Sequence, residues 1–115
     1  MKDIEKLKEM VLQFRDDRDW KQFHNPKDLA VSLLLEAGEV VEHFQWKDEK
    51  SQWAHVEAKR EDIGDELADV LYWVLLLSND LKIDISEAFV RKLEKNKEKY
   101  PIEKAKGKSE KYTEL

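Results

Sequence analysis

A chain of 115 residues has room for one hydrophobic core and not for two. Hydrophobic and charged residues take 41% each, a mix that suits helices with one apolar stripe and one charged face. The absence of cysteine excludes disulfides, thiolate zinc sites and a cysteine nucleophile, and a net charge of −5 argues against nucleic acid as a partner. The first helix is expected over residues 3 to 18, where Ile4, Leu7, Val11 and Phe14 recur at helical spacing. A connector dense in aromatics follows, running from Asp19 through Trp20 and Phe23 to Asn25. Asn25 as N-cap and Pro26 in the first turn open a second helix, expected to reach residue 45. Leu29, Leu33, Ala37, Val40 and Phe44 share its apolar face.

Residues 46 to 57 have no clear period and read as a loop with room for a short helical piece. The third helix is expected to start between residues 56 and 60 and to end near residue 81. Its second half, VLYWVLLL, is apolar all round and predicts the most buried helix of the fold. Asp84-Ile85-Ser86-Glu87 has the form of a capping box opening a fourth helix, which carries Ile85, Ala88, Phe89 and Leu93 and ends at Pro101. The expected organisation is one all-α, four-helix domain over residues 1 to 100 and a lysine-rich tail over residues 101 to 115. The N-terminal residues are charged from the second position and offer no signal-peptide core. The longest apolar run, residues 70 to 77, is too short to cross a bilayer. A cytoplasmic protein without a membrane partner is the expectation.

Most of the 26 acidic residues are explained by helix starts and acid–lysine pairing. Two pairs resist that explanation. Glu36 and Glu39 interrupt LLLEAGEVV, and Glu66 and Asp69 interrupt DELADVLYWVLLL. Three-residue spacing sets two side chains roughly 60° apart around a helix and one turn from each other. Asp62 and Asp65 lie near the direction of the second pair, and Glu42 lies one step round from the first. Like charges so placed repel unless cations sit between the helices, and Mg²⁺ is the natural oxygen-seeking candidate. The plain alternative is an acidic edge of the core paired with lysines, since E-x-x-E is common on charged helices. Asp69, directly before the most apolar stretch, favours the metal. A di-iron centre built on Glu-x-x-His is excluded, because His24, His43 and His55 follow Lys21, Val40 and Gln52 at that spacing.

With E-x-x-E on one helix and E-x-x-D about thirty residues later, the chain resembles the MazG-like nucleotide pyrophosphohydrolases, and within them the dCTP pyrophosphatase branch. The segments that carry the resemblance are RDWKQFHNP, LLLEAGEVVEHFQWK, DELADVLYW, KNKEKYP and KYTEL, in that order along nearly the whole chain. The resemblance implies an all-α MazG-like bundle assembled as a homodimer or homotetramer, with pockets built between subunits. It makes Glu36, Glu39, Glu66 and Asp69 the catalytic carboxylates and the ligands of Mg²⁺, for which Mn²⁺ can substitute. Trp20, Lys21, Gln22, Phe23, His24 and Trp46 become parts of the nucleotide pocket, and Asn96 a further polar contact. Trp73 stands where the nearest branch has a tyrosine, so the aromatic face is kept and a hydroxyl is lost.

The reaction this implies splits a nucleoside triphosphate, dCTP by preference, into monophosphate and pyrophosphate, in service of nucleotide-pool house-cleaning. An acidic site can hold a polyanionic substrate only through metal ions, which would also lower the pKa of an attacking water. Glu39 is the first choice for orienting that water. Aromatic rings suit any base, and Trp20 and Trp46, at loop–helix junctions, suit that role better than Phe23 and Trp73, whose plain reading is core. His24 either bonds the nucleotide or satisfies the backbone before Pro26, and Lys47 is by default a solvated lysine. Two alternatives stand beside this reading. One is the same chemistry on dUTP, a modified nucleotide or triphosphates without selection. The other is a non-enzymatic helical interaction module, which would have no need of four converging carboxylates.

Overall fold

Each of the four long helices begins on a side chain that takes up a backbone N–H otherwise left without a partner. In the computed structural model, which describes residues 3 to 115, α1 (Ile4–Asp17) starts at Asp3, whose carboxylate accepts from the Lys6 N–H at 2.9 Å. Asn25 does the same for Asp28 at 2.9 Å and, with Pro26 in the first turn, opens α2 (Pro26–Glu42). Asp48 accepts from the Ser51 N–H at 2.8 Å and opens α3 (Glu49–Asp80). Asp84 accepts from the Glu87 N–H at 3.1 Å and opens α4 (Ile85–Lys99). A short α5 (Ile102–Ala105) and two 3-10 turns, Lys21–Phe23 and Tyr112–Glu114, complete an all-helical chain with no strand among the described residues.

Two boundaries differ from expectation. The second helix stops at Glu42 rather than residue 45, and residues 43 to 46 turn away, with Trp46 at φ +67°, a left-handed backbone that a bulky side chain rarely takes. The segment read as a loop is mostly helix: α3 starts at Glu49 and runs through a kink at Lys59, where φ −128° and ψ 28° leave the helical region. Asp48 starts it, and the exposure of Trp53 explains why no apolar stripe announces it.

The chain divides into two compact units, one ending at Lys82 and the other running from Ile83 to Leu115. In the first, α3 packs against both α1 and α2. The fully buried apolar side chains are Leu29 of α2 and Leu75 and Leu76 of α3, so the apolar second half of α3 is the centre of this unit as its composition predicts. In the second unit, Tyr112 lies edge-on to Tyr100, with ring centroids 6.1 Å apart, and Lys99 reaches over the Tyr112 ring. Among the described residues no helix is long and apolar enough to cross a membrane.

Candidate active site

The first acidic pair meets Glu66 of the second where α2 lies against α3. Glu36 and Glu39 of α2 and Glu66 of α3 each place a carboxylate oxygen within 4.8 Å of the others. Asp69, one turn beyond Glu66, adds its negative charge to both Glu36 and Glu66. The Glu36 Oε2 is buried with no hydrogen-bond partner. A buried carboxylate oxygen without a donor costs free energy, and three carboxylates crowded together add repulsion. A hard divalent cation relieves both, since Mg²⁺ takes oxygen ligands at roughly 2.1 Å and such spacing lets neighbouring carboxylates share it. The residues present therefore fit the metal that the sequence implies.

The electrostatics of the cluster follow from that crowding. Glu66 is pushed up to about 7, first by sharing a proton in a hydrogen bond with Glu39, then by burial and the charges of Glu39, Glu36 and Asp69. Glu36 is raised by burial first and then by Glu39 and Asp69, while the Trp73 indole pulls the other way. Both shifts follow from carboxylates crowded against one another.

The sign of the pH effect is then fixed. Between the usual glutamate range and about pH 7, the folded chain holds a proton at Glu66 that the unfolded chain has lost. The stability contributed by that proton is full below the window and disappears as pH rises through about 7. In EDTA the melting temperature should therefore fall from about pH 5.5 to about pH 8, and Mg²⁺ should shrink the fall, because cation and proton compete for the same oxygens. Thermal melts in both buffers check this; a metal-free melting temperature that is flat or rises across the window would contradict it.

Beside the carboxylates lies a cavity of about 460 Å³. Glu36 and Asp69 form its acidic wall, and Phe14, Trp20, Tyr72 and Trp73 supply aromatic surface, with Met10 and Val11 completing the lining. The rings brace one another: Phe14 meets Trp20 at 5.7 Å and Tyr72 at 6.0 Å, and Tyr72 meets Trp73 at 5.0 Å, all edge-on. The Arg18 guanidinium lies 3.7 Å over the Phe14 ring and donates to the Phe14 carbonyl, which holds that ring in place. A cavity with one aromatic side and one acidic side suits a ligand with an aromatic end and a metal-bound anionic end.

Of the residues singled out from sequence, Trp20, Trp73, Glu36 and Asp69 line this cavity, and Glu39 and Glu66 join Glu36 in the cluster. His24 packs edge-on against Trp73 at 5.9 Å. Lys21, Gln22 and Phe23 form the exposed 3-10 turn, where the Gln22 amide bonds back to Asp19. Trp46 is 93% exposed and is not part of the cavity wall. Asn96 belongs to the second unit, where its carbonyl accepts from the Tyr100 N–H at 2.9 Å. Sequence reasoning did not single out Tyr72, Phe14 and Met10, which sit in runs read as helix core. It also missed the Arg15–Asp80 ion pair, whose partners no spacing rule connects.

Comparison with known proteins places the chain. Residues 31–115 match the MazG-like family. The dCTP pyrophosphatase 1 of Homo sapiens is 35% identical over 114 residues, covering 97% of this chain and 67% of that protein. The dCTP pyrophosphatase 1 of Mus musculus is 34% identical over the same length, with 97% and 67% covered. Among solved structures, a pyrophosphatase from Archaeoglobus fulgidus DSM 4304 superposes with a TM-score of 0.80 at 40% identity, covering 84% of this chain and 91% of that one.

Proposed function

The chain belongs to the MazG-like family, and we propose that it is a Mg²⁺-dependent enzyme that splits dCTP into dCMP and pyrophosphate. At the coarser level it is a nucleoside triphosphate pyrophosphatase, as its relatives are pyrophosphatases. The observation that carries the finer reading is the convergence of Glu36, Glu39 and Glu66, with one buried, partnerless oxygen, at the edge of an aromatic cavity.

Mg²⁺ bound there, or Mn²⁺ in its place, would supply the positive charge that triphosphate oxygens require and lower the pKa of a nearby water. Glu36, Glu39, Glu66 and Asp69 are the residues that would hold it. Glu39 orients the attacking water and accepts its proton as oxygen bonds to the α-phosphorus. The bond from that phosphorus to its bridging oxygen breaks, and pyrophosphate leaves with the electron pair. Trp20 and Trp73, which line the cavity, stack on the base. The test is the product: monophosphate and pyrophosphate in equal amounts, in place of diphosphate and phosphate. A panel of bases decides between dCTP preference and the same reaction on dUTP, a modified nucleotide or triphosphates without selection. Nucleotide-pool house-cleaning in the cytoplasm is the role such an activity would serve. The interaction-module reading has no use for three carboxylates gathered within 4.8 Å of one another.

A second copy of the chain is the proposed partner. On α2, Leu34 is 70% exposed, with Leu35 and Val41 also open, and Leu67 of α3 is exposed beside the cluster residue Glu66. So much apolar surface next to so small a core supports a homodimer, or a pair of dimers, closing over these helix faces. Leu35 is adjacent to Glu36, so such an interface would border the pocket. Sedimentation should give a multiple of the chain mass; a monomer at micromolar concentration would contradict the assembly.

A further inference from the structure

Arg15 is 1% exposed, an unusual setting for a charge that cannot be given up. Its two terminal nitrogens fork onto Asp80, the last residue of α3, with Nη1 to Oδ2 at 2.7 Å and Nη2 to Oδ1 at 2.9 Å. The same Nη1 faces Nδ1 of His24 at 3.3 Å. A guanidinium nitrogen only donates, so Nδ1 must accept, and the proton of the neutral imidazole sits on Nε2. Protonating Nδ1 would set two N–H groups against each other, so the contact holds only for the neutral ring. Burial and then the Arg15 charge lower the His24 pKa, with Asp80 opposing. The other charged and titratable neighbours of this pair are Asp16 of α1, Lys21 of the 3-10 turn and Tyr72 of α3.

The ring held in this way is the one that meets Trp73 edge-on, and Trp73 lines the cavity. Among the described residues no hydrogen bond reaches His24 Nε2. We propose that the Arg15–Asp80 pair is a positioning device for the nucleotide pocket, fixing His24 as a neutral Nε2–H donor braced against Trp73, ready for an oxygen acceptor on the nucleotide. Arg15 and Asp80 touch no substrate and act through His24. The proposal rests on the cavity being the nucleotide pocket.

Losing Arg15 alone strands a carboxylate, so the test replaces both partners, Arg15→Met with Asp80→Leu, which keeps volume and removes the charges together. Nitrogen-detected NMR at pH 7.5 should show His24 of the native chain protonated on Nε2 and a mixture of tautomers in the double variant. The double variant should raise KM for the nucleotide about tenfold and leave kcat within about threefold, as expected for one mispositioned hydrogen bond. His24→Ala should raise KM to a similar degree, and all three changes together should add less than about twofold more, because they remove the same contact. Repeating the comparison with inorganic triphosphate separates the acceptors: a KM change there assigns a phosphate oxygen, and none assigns the base or sugar. A native His24 protonated on Nδ1, an unchanged tautomer in the double variant, or fully additive KM effects would each overturn the proposal. A native chain that turns over no triphosphate would sink the hydrolase reading, while the tautomer comparison, which needs no substrate, would still decide whether the pair positions His24.

Discussion

Glu39→Gln and Asp69→Asn should each fold as the native chain does and lower kcat by at least about 100-fold. Both changes keep size and shape and remove one negative charge. In the metal-free protein that charge sits in a cluster already crowded enough to push Glu66 up to about 7. Removing it relieves repulsion, so the melting temperature in EDTA should hold or rise. The loss falls on function, because a neutral amide is a poor ligand for a hard cation, and disturbing even the outer partners of such a site costs about 10- to 100-fold. Steady-state kinetics at saturating Mg²⁺, paired with thermal melts in EDTA, separate the two effects. Near-normal turnover in either variant would remove that residue from the site.

Arg15→Met alone should lower unfolding free energy by about 3 kcal/mol, the largest stability effect of any single change considered for this chain. The side chain it replaces is fully buried, and Asp80 would keep its charge with the Asn79 amide, at 3.2 Å, as its remaining side-chain partner. The penalty is the stranded carboxylate rather than a net gain from the native pair, so Asp80→Leu in the same chain should recover most of it. Urea unfolding of the single and double variants measures both numbers. A single variant as stable as the native chain would show that water already screens Asp80 well enough to make the pair dispensable.

The parts of this structure that were legible in the sequence are those with a local rule behind them. Asn25 before Pro26 and Asp84 before Glu87 announce helix starts because caps act within one turn. The carboxylate pairs stand out because a helix carries residues three apart onto one face, and α2 and α3 bring the two faces together. The first turns of α3 were not legible, since an exposed helix with Trp53 and Val56 as its larger apolar residues shows no stripe. The end of α2 was missed because the apolar spacing runs on to Phe44 while the chain has already turned at His43. Arg15 and Asp80, 65 positions apart, lie beyond any local pattern. Tyr72 was hidden by its apolar neighbours, and only the cavity shows that its ring faces a site as well as a core. Trp46, singled out for its junction position, is almost wholly exposed within this chain.

Pyrophosphohydrolase activity is tested most directly by incubating the purified chain with a panel of deoxy- and ribonucleoside triphosphates, with Mg²⁺ and with EDTA, and resolving the products by ion-exchange chromatography. Monophosphate and pyrophosphate should appear in equal amounts with Mg²⁺, neither should appear with EDTA, and dCTP should be consumed fastest. A folded, Mg²⁺-binding protein that leaves every triphosphate intact, or one that releases diphosphate and phosphate, would contradict it.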